Sequence, residues 1–171
     1  MQQAYNDFGA WIRRRFPFRV QKISVDAGFS CPNRDGKISR GGCTFCDNHT
    51  FNPSYCNSCK SITEQLEEGK AFFARKYPDM KYLAYFQAYS NTYAPVPRLK
   101  QLYEEALSDE DVVGIVIGTR PDCLSPEILD YLEELNRRTF VIVELGVESA
   151  NDETLLLVNR GHTFANSVNA I

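Results

Sequence analysis

No stretch of this 171-residue sequence is long and apolar enough to cross a bilayer. The longest apolar run, Val112 to Ile117, covers 6 positions, where a membrane helix needs about 20. The opening Met1-Gln-Gln-Ala-Tyr-Asn-Asp7 lacks the charged segment and apolar stretch of an export signal, so a cytoplasmic protein is expected. Strong charge of either sign is also missing. Nineteen Lys and Arg stand against 22 Asp and Glu, a formal charge of −3, which speaks against broad electrostatic binding of nucleic acid. One local basic stretch, Trp11-Ile-Arg-Arg-Arg-Phe-Pro-Phe-Arg19 with Lys22, reads first as a solvated face beside a strand; an anionic or RNA ligand is the alternative. Histidine is scarce. His49 and His162 sit in polar contexts with no partner at metal-ligand spacing, so both read as hydrogen-bonded loop residues. With no linker, repeat or low-complexity segment, the chain holds one core, or part of one.

Against these absences stand 6 cysteines, 5 of them within the 29 residues from Cys31 to Cys59. In a reducing compartment such crowding favours metal binding or redox chemistry over structural disulfides.

The sequence from Val20 onward alternates strand-like and helix-like segments. Val20 to Val25 alternates apolar and polar residues, as a half-buried strand does. Thr63 to Tyr77 has helical spacing, with Ser61 or Thr63 as N-cap and Pro78 as the stop. Lys81 to Ala88 reads as a strand, 89–95 as a polar loop, and Val96 to Leu107 as an amphipathic helix. Val112 to Ile117 reads as a strand buried on both faces. Ser125 to Arg137 reads as a helix with Ser125 as cap and Pro126 in its first turn. Phe140 to Leu145 repeats the buried-strand pattern, and a last helix from Asp152 to Val158 is expected to continue to the chain's end. Four consecutive βα units give a parallel sheet, open or curled into a barrel. Active groups in such sheets gather beyond the carboxyl ends of the strands. The cysteines, 87–93, Gly118-Thr-Arg-Pro-Asp122 and Gly146-Val-Glu-Ser149 all fall there.

Two metal chemistries fit the thiols. In Cys31-Pro-Asn-Arg-Asp-Gly-Lys-Ile-Ser-Arg-Gly-Gly-Cys43-Thr-Phe-Cys46, three cysteines resemble an iron–sulfur loop short of one ligand, which would leave one iron of a four-iron cluster open. Alternatively, Cys43-x2-Cys46-x9-Cys56-x2-Cys59 has the paired knuckles of a zinc site. The loop's place between a first strand and a first helix, and the unused Cys31 of the zinc scheme, weigh toward the cluster. Cys56 and Cys59 stay ambiguous, as free thiols or as a second site, and Cys123 reads as a loop or core residue.

A parallel βα series opening with a cysteine loop that ends Cys-x-aromatic-Cys resembles the radical S-adenosylmethionine superfamily. The commonest spacing there is C-x3-C-x2-C, whereas 11 residues fill the first gap here. That wider gap resembles the YhcC-type subgroup, related to the radical domain of the Elongator catalytic subunit. Tyr85-Phe-Gln-Ala-Tyr-Ser-Asn-Thr-Tyr-Ala-Pro95, Gly118-Thr-Arg-Pro-Asp122, Glu144-Leu-Gly-Val-Glu-Ser149 and Asn159-Arg-Gly-His-Thr163 resemble it too, so the likeness extends along nearly the whole chain.

The resemblance implies an α/β fold comprising the first four units of a (βα)6 partial barrel, with residues 1–19 as an N-terminal extension and 20–171 as a core truncated at its C-terminus. It implies a [4Fe-4S] cluster on Cys31, Cys43 and Cys46, with S-adenosylmethionine on the open iron. Phe45 is then expected near the adenine. Gln87, Ser90 and Asn91 replace the family's usual Gly-Gly-Glu contact to the methionine amino group. Glu148 is expected at the ribose hydroxyls and Arg160 at the methionine carboxylate, with a surface ion pair as the plainer alternative for both. Arg120 has the same dual reading, with Thr119 and Asp122 as turn formers. An electron donor such as flavodoxin or ferredoxin is implied. The substrate is unknown, with RNA open because the wider group includes tRNA-modifying enzymes, and no catalytic residue is assigned. A zinc-knuckle binding module and an inactive truncated fragment are the competing functions, and the unpaired edge of the fourth strand is expected to favour self-association.

Overall fold

The computed structural model describes residues 5, 7–47, 52–74 and 79–171. Four strands, β1 (Arg19–Val25), β2 (Met80–Phe86), β3 (Val112–Thr119) and β4 (Phe140–Leu145), form one sheet in chain order. Every pairing is parallel, which is the expected α/β architecture.

Helices α2 (Ile62–Ala74), α3 (Val96–Leu107) and α4 (Pro126–Asn136) connect the strands. Strand residues alternate between faces. Ile23, Ala84, Phe86, Ile115 and Ile117 join Leu66, Leu99, Tyr103, Ile128 and Leu135 from the helices in the main core. Leu83 and Val116 point the other way, into a smaller cluster with Ile12. The α4 cap is as expected, with Ser125 Oγ accepting from the Ile128 amide at 3.4 Å. Helix α2 ends at Ala74, and the expected continuation to Tyr77 and the stop at Pro78 lie outside the described residues.

Three expectations change. The basic stretch contains a helix, α1 (Phe8–Arg15), N-capped by Asp7, whose carboxylate accepts from the Ala10 amide at 2.6 Å. Its arginines crowd the last turn, where cations complement the helix dipole. Ala10 and Ile12 face the protein while Arg13, Arg14 and Arg15 face solvent. Trp11 and Phe16 pack on Phe140 with ring centroids at 5.8 and 5.1 Å, so α1 covers the amino-terminal end of the sheet's second face.

The second change is in β4, whose six residues are all only partly buried. β4 pairs with β3 alone among the described residues, and an edge strand keeps some exposure however apolar its sequence.

The third is at the C-terminus, where the expected single helix is two, α5 (Asp152–Leu157) and α6 (Phe164–Ala170). Asn159 and Gly161 take left-handed backbone, at φ 51° and 77°. The Asn159 amide donates to the Leu156 carbonyl at 3.0 Å and the Arg160 amide to the Leu155 carbonyl at 2.8 Å. This paired pattern is a Schellman cap with Asn159 in the left-handed position, which Asn tolerates better than most residues. The chain therefore turns back on itself, and Arg160 enters the sheet's mouth instead of continuing a helix.

Candidate metal centre and cofactor cleft

The loop between β1 and α2 folds on its own backbone before it meets anything else. The Cys31 carbonyl accepts from the Arg34 and Asp35 amides at 2.8 and 3.1 Å, and the Asn33 carbonyl from the Gly42 amide at 2.9 Å. Gly42 has φ 81°, and a Cβ there would lie 2.7 Å from Arg34 Nε. Arg34 thus lies across Gly42 and donates to the Cys46 carbonyl at 2.8 Å. A tight turn, with the Cys46 amide on the Cys43 carbonyl at 3.0 Å, completes the pair.

The folded loop docks on the Schellman cap. Thr44 donates its amide to the Val158 carbonyl at 3.0 Å. Asn33 Nδ2 donates to the Asn159 carbonyl at 2.6 Å, and Asn159 Nδ2 to the Gly42 carbonyl at 2.8 Å. Residues more than a hundred positions apart thereby form one wall.

That wall bounds a cleft of about 560 Å³. Cys31, Cys43 and Cys46 all line it, facing the exits of β2, β3 and β4. Among the described residues no group of three or more His, Cys, Asp or Glu side chains is gathered as the ligands of one metal ion. The thiols instead share the cleft's wall in a basic setting. Cys43 Sγ accepts from Arg160 Nη1 at 3.4 Å and from Asn33 Nδ2 at 3.6 Å. The Cys46 side chain, with Cys31 and Tyr89 adding, holds the Arg34 guanidinium above its ordinary pKa. Three cysteine sulfurs on one wall, one of them met by N–H groups of Arg160 and Asn33, make a donor set that fits an iron–sulfur cluster held by three cysteines.

The expected cofactor residues divide. Phe45, Gln87, Ser90, Glu148 and Arg160 line the cleft; Asn91 does not appear in its lining. Asn91 is buried behind it, with Nδ2 on the Ala88 and Gly118 carbonyls at 3.1 and 2.8 Å. Phe45 is 53% exposed, an aromatic face presented at the mouth. Gln87 donates to Ser24 Oγ at 2.8 Å. Glu148, at φ 66°, and its cleft neighbours Ala88 and Tyr89, at 72° and 64°, hold left-handed backbone that costs non-glycine residues about 1–3 kcal/mol each. Such strain gathers at sites that require a particular display of groups.

Arg160 is almost wholly buried, and each of its three nitrogens donates: Nη1 to Cys43, Nε to His162 Nε2 at 3.0 Å and Nη2 to the Gly146 carbonyl at 2.5 Å. Glu148 stands 3.8 Å from it. His162 is the hydrogen-bonded loop residue expected; His49 lies outside the described residues. Arg120 grips Asp122 through Nε and Nη2 at 2.8 and 2.7 Å and donates to the Arg160 carbonyl at 2.9 Å. Burial lowers its pKa, but the Asp122 pair prevails and raises it.

Two cleft residues, Tyr85 and Glu144, carried no role in the sequence reading, and Lys22, which pairs with Glu144, was read there only as part of the basic stretch. Tyr85 Oη donates to Glu144 Oε2 at 2.6 Å, and Lys22 Nζ meets Glu144 Oε1 at 2.5 Å. Burial, then Glu144, pushes the Tyr85 phenol up. The alternation of β1, β2 and β4 places these three on one face, a signal available in the sequence. Arg34 was also passed over, although it sits between two of the thiols.

The zinc scheme's second knuckle goes elsewhere. Cys56 is buried in the main core, and burial, with Asp26 adding, pushes its thiol up to about 12; Cys59 is exposed. Cys123 is buried at the β3 exit, its thiol pushed up to about 11 by burial first and Asp122 second. Iodoacetamide at neutral pH, followed by mass spectrometry, should therefore modify Cys59 promptly and Cys56 only after unfolding. Equal rates at the two would place Cys56 at the surface and revive the knuckle.

The family model described as the Radical SAM superfamily matches residues 34–171. The uncharacterized protein YtqA of Bacillus subtilis is 44% identical over 163 residues, 95% of this chain and 51% of its own length. Protein YhcC of Escherichia coli K12 is 43% identical over 166 residues, 96% of this chain and 52% of its own. The chain thus spans about half the length of these curated relatives. The archaeal Methanocaldococcus infernus Elp3 with an N-terminal deletion superposes with a TM-score of 0.60 at 17% identity, over 88% of this chain and 34% of that one. This likeness shows the fold, a partial barrel. No helix among the described residues is long and apolar enough to cross a membrane.

Proposed function

Because the chain belongs to the radical SAM superfamily, we propose that Cys31, Cys43 and Cys46 hold a [4Fe-4S] cluster whose fourth iron binds S-adenosylmethionine. When bound, the cluster supplies one electron to the sulfonium, releasing methionine and a 5′-deoxyadenosyl radical that takes hydrogen from a substrate. The observation that carries this reading is the convergence of all three thiols on one cleft at the carboxyl ends of a parallel sheet.

The chain's own residues bind, orient and exclude water. Phe45 offers an aromatic face for the adenine, and Glu148, exposed in the same cleft, offers a carboxylate for ribose hydroxyls. Gln87 and Ser90, at the β2 exit, are the groups available to the methionine amino end. Tyr85 and Glu144 border the same cleft on the sheet's inner face, where a substrate would lie. Asn91 serves as a brace for the β2 exit. A small one-electron donor of the flavodoxin or ferredoxin kind would reduce the cluster, in a cytoplasmic setting where the thiols stay reduced; the substrate, RNA included, belongs to the whole protein. The core proper is residues 20–171, with 1–19 as the extension whose helix packs beneath the sheet. The outer edge of β4 is where a further strand would add, and left bare it would favour self-association and slow turnover.

Anaerobic reconstitution followed by analysis of iron, sulfide and zinc tests this directly. About four iron and four sulfide per chain are expected for one such cluster; colourless protein retaining zinc instead would end the proposal.

A further inference from the structure

We propose that Arg160 and Asn33, by donating hydrogen bonds to Cys43 Sγ, set the reduction potential of the cluster; this rests on the cluster reading above. Cys43 is the buried thiol of the three, Cys31 and Cys46 being partly exposed. Its sulfur receives one charged donor, Arg160 Nη1 at 3.4 Å, and one neutral donor, Asn33 Nδ2 at 3.6 Å. Both donors are shielded from water, Asn33 at 0% and Arg160 at 7% exposure. A charge in such surroundings is weakly screened and acts strongly on its neighbour.

Neither side chain can drift from the sulfur. Arg160 is fixed by the Gly146 carbonyl and His162, and its own carbonyl accepts from Arg120. Asn33 is fixed by the Asn159 carbonyl, a bond that aims its amide nitrogen toward Cys43 and leaves its Oδ1 without a partner. The Schellman cap presents that carbonyl and, on the next residue, Arg160. One backbone turn thus supplies both donors to one thiolate.

Reduction adds an electron to the cluster and makes its sulfurs more negative. N–H donors stabilise that state more than the oxidised one, so they raise the potential. Arg160 and Asn33 are therefore positioning residues that ease the arrival of the electron.

Reconstituted wild type, Arg160→Lys and Asn33→Ala would be poised with redox mediators under anaerobic conditions and followed by electron paramagnetic resonance. Arg160→Lys keeps the charge but loses the fork, and Asn33→Ala changes no charge. Both are expected to keep their iron and to show lower potentials. For Arg160→Lys the shift should reach about tenfold in the reduced-to-oxidised ratio at a fixed applied potential, about 59 mV for one electron, and for Asn33→Ala somewhat less. Iron-loaded variants with the wild-type potential would overturn the inference and leave the cluster reading intact. If one variant fails to hold iron, the other carries the comparison; loss of iron from both would make the two residues scaffolding and end the inference. Wild type without iron would end both readings.

Discussion

Alanine in place of Cys31, Cys43 or Cys46 abolishes the visible absorption of the reconstituted iron–sulfur centre, whereas Cys56→Ala and Cys59→Ala keep most of it. This outcome follows from where the five thiols lie. The first three line one cleft, with cations and N–H donors around them. Cys56 is buried in the apolar core, which pushes its thiol up, and Cys59 faces solvent. Cys31 is the sharpest variant, because it belongs to the three-thiolate scheme and has no part in the zinc scheme, and because the matched family region begins after it, at Arg34. Absorption spectra of the five variants, with iron analysis, distinguish the schemes: an essential Cys56 and Cys59 beside a dispensable Cys31 would reverse the assignment.

Gly161→Ala should destabilise the chain by about 2 to 5 kcal/mol, adding a left-handed penalty of roughly 1–2 to overpacking of roughly 1–3. Gly161 sits at φ 77°, and a Cβ there would lie 2.5 Å from Asn33 Oδ1 and 3.0 Å from Ile38 Cγ2. Asn33 cannot yield without breaking its bond to the Asn159 carbonyl and its contact with Cys43. The damage therefore reaches the metal loop as well as the cap. A urea titration should show a lower midpoint, and reconstituted protein should lose iron faster on dilution. A midpoint equal to wild type would mean that the cap and loop are not coupled as described.

The strands and three connecting helices were legible because hydrophobic period and punctuation agreed there. Val96–Leu107 and Phe140–Leu145 have the same bounds in sequence and structure, and Ser125 caps as its type suggests. The burial of β4 was misread because composition reports apolarity, not how many neighbours a strand has. Helix α1 was missed because three consecutive arginines mask a short apolar face made of Ala10 and Ile12. The break after α5 was hidden since Asn159 has a side chain, and only the backbone reveals its left-handed turn. At the site, thiol spacing and strand exits were readable locally. The pairing of Arg160 with Cys43 and of Lys22 with Glu144 joins residues 117 and 122 positions apart, which no local pattern encodes.

In the proposed cluster, three thiolates leave one iron open. The most direct measurement is the electron paramagnetic resonance spectrum of the reconstituted, reduced protein before and after addition of S-adenosylmethionine. The expected result is a changed spectrum, because the added amino and carboxylate groups enter the coordination shell of the open iron. An unchanged spectrum in protein carrying a full cluster would show all four corners closed, and would contradict the account.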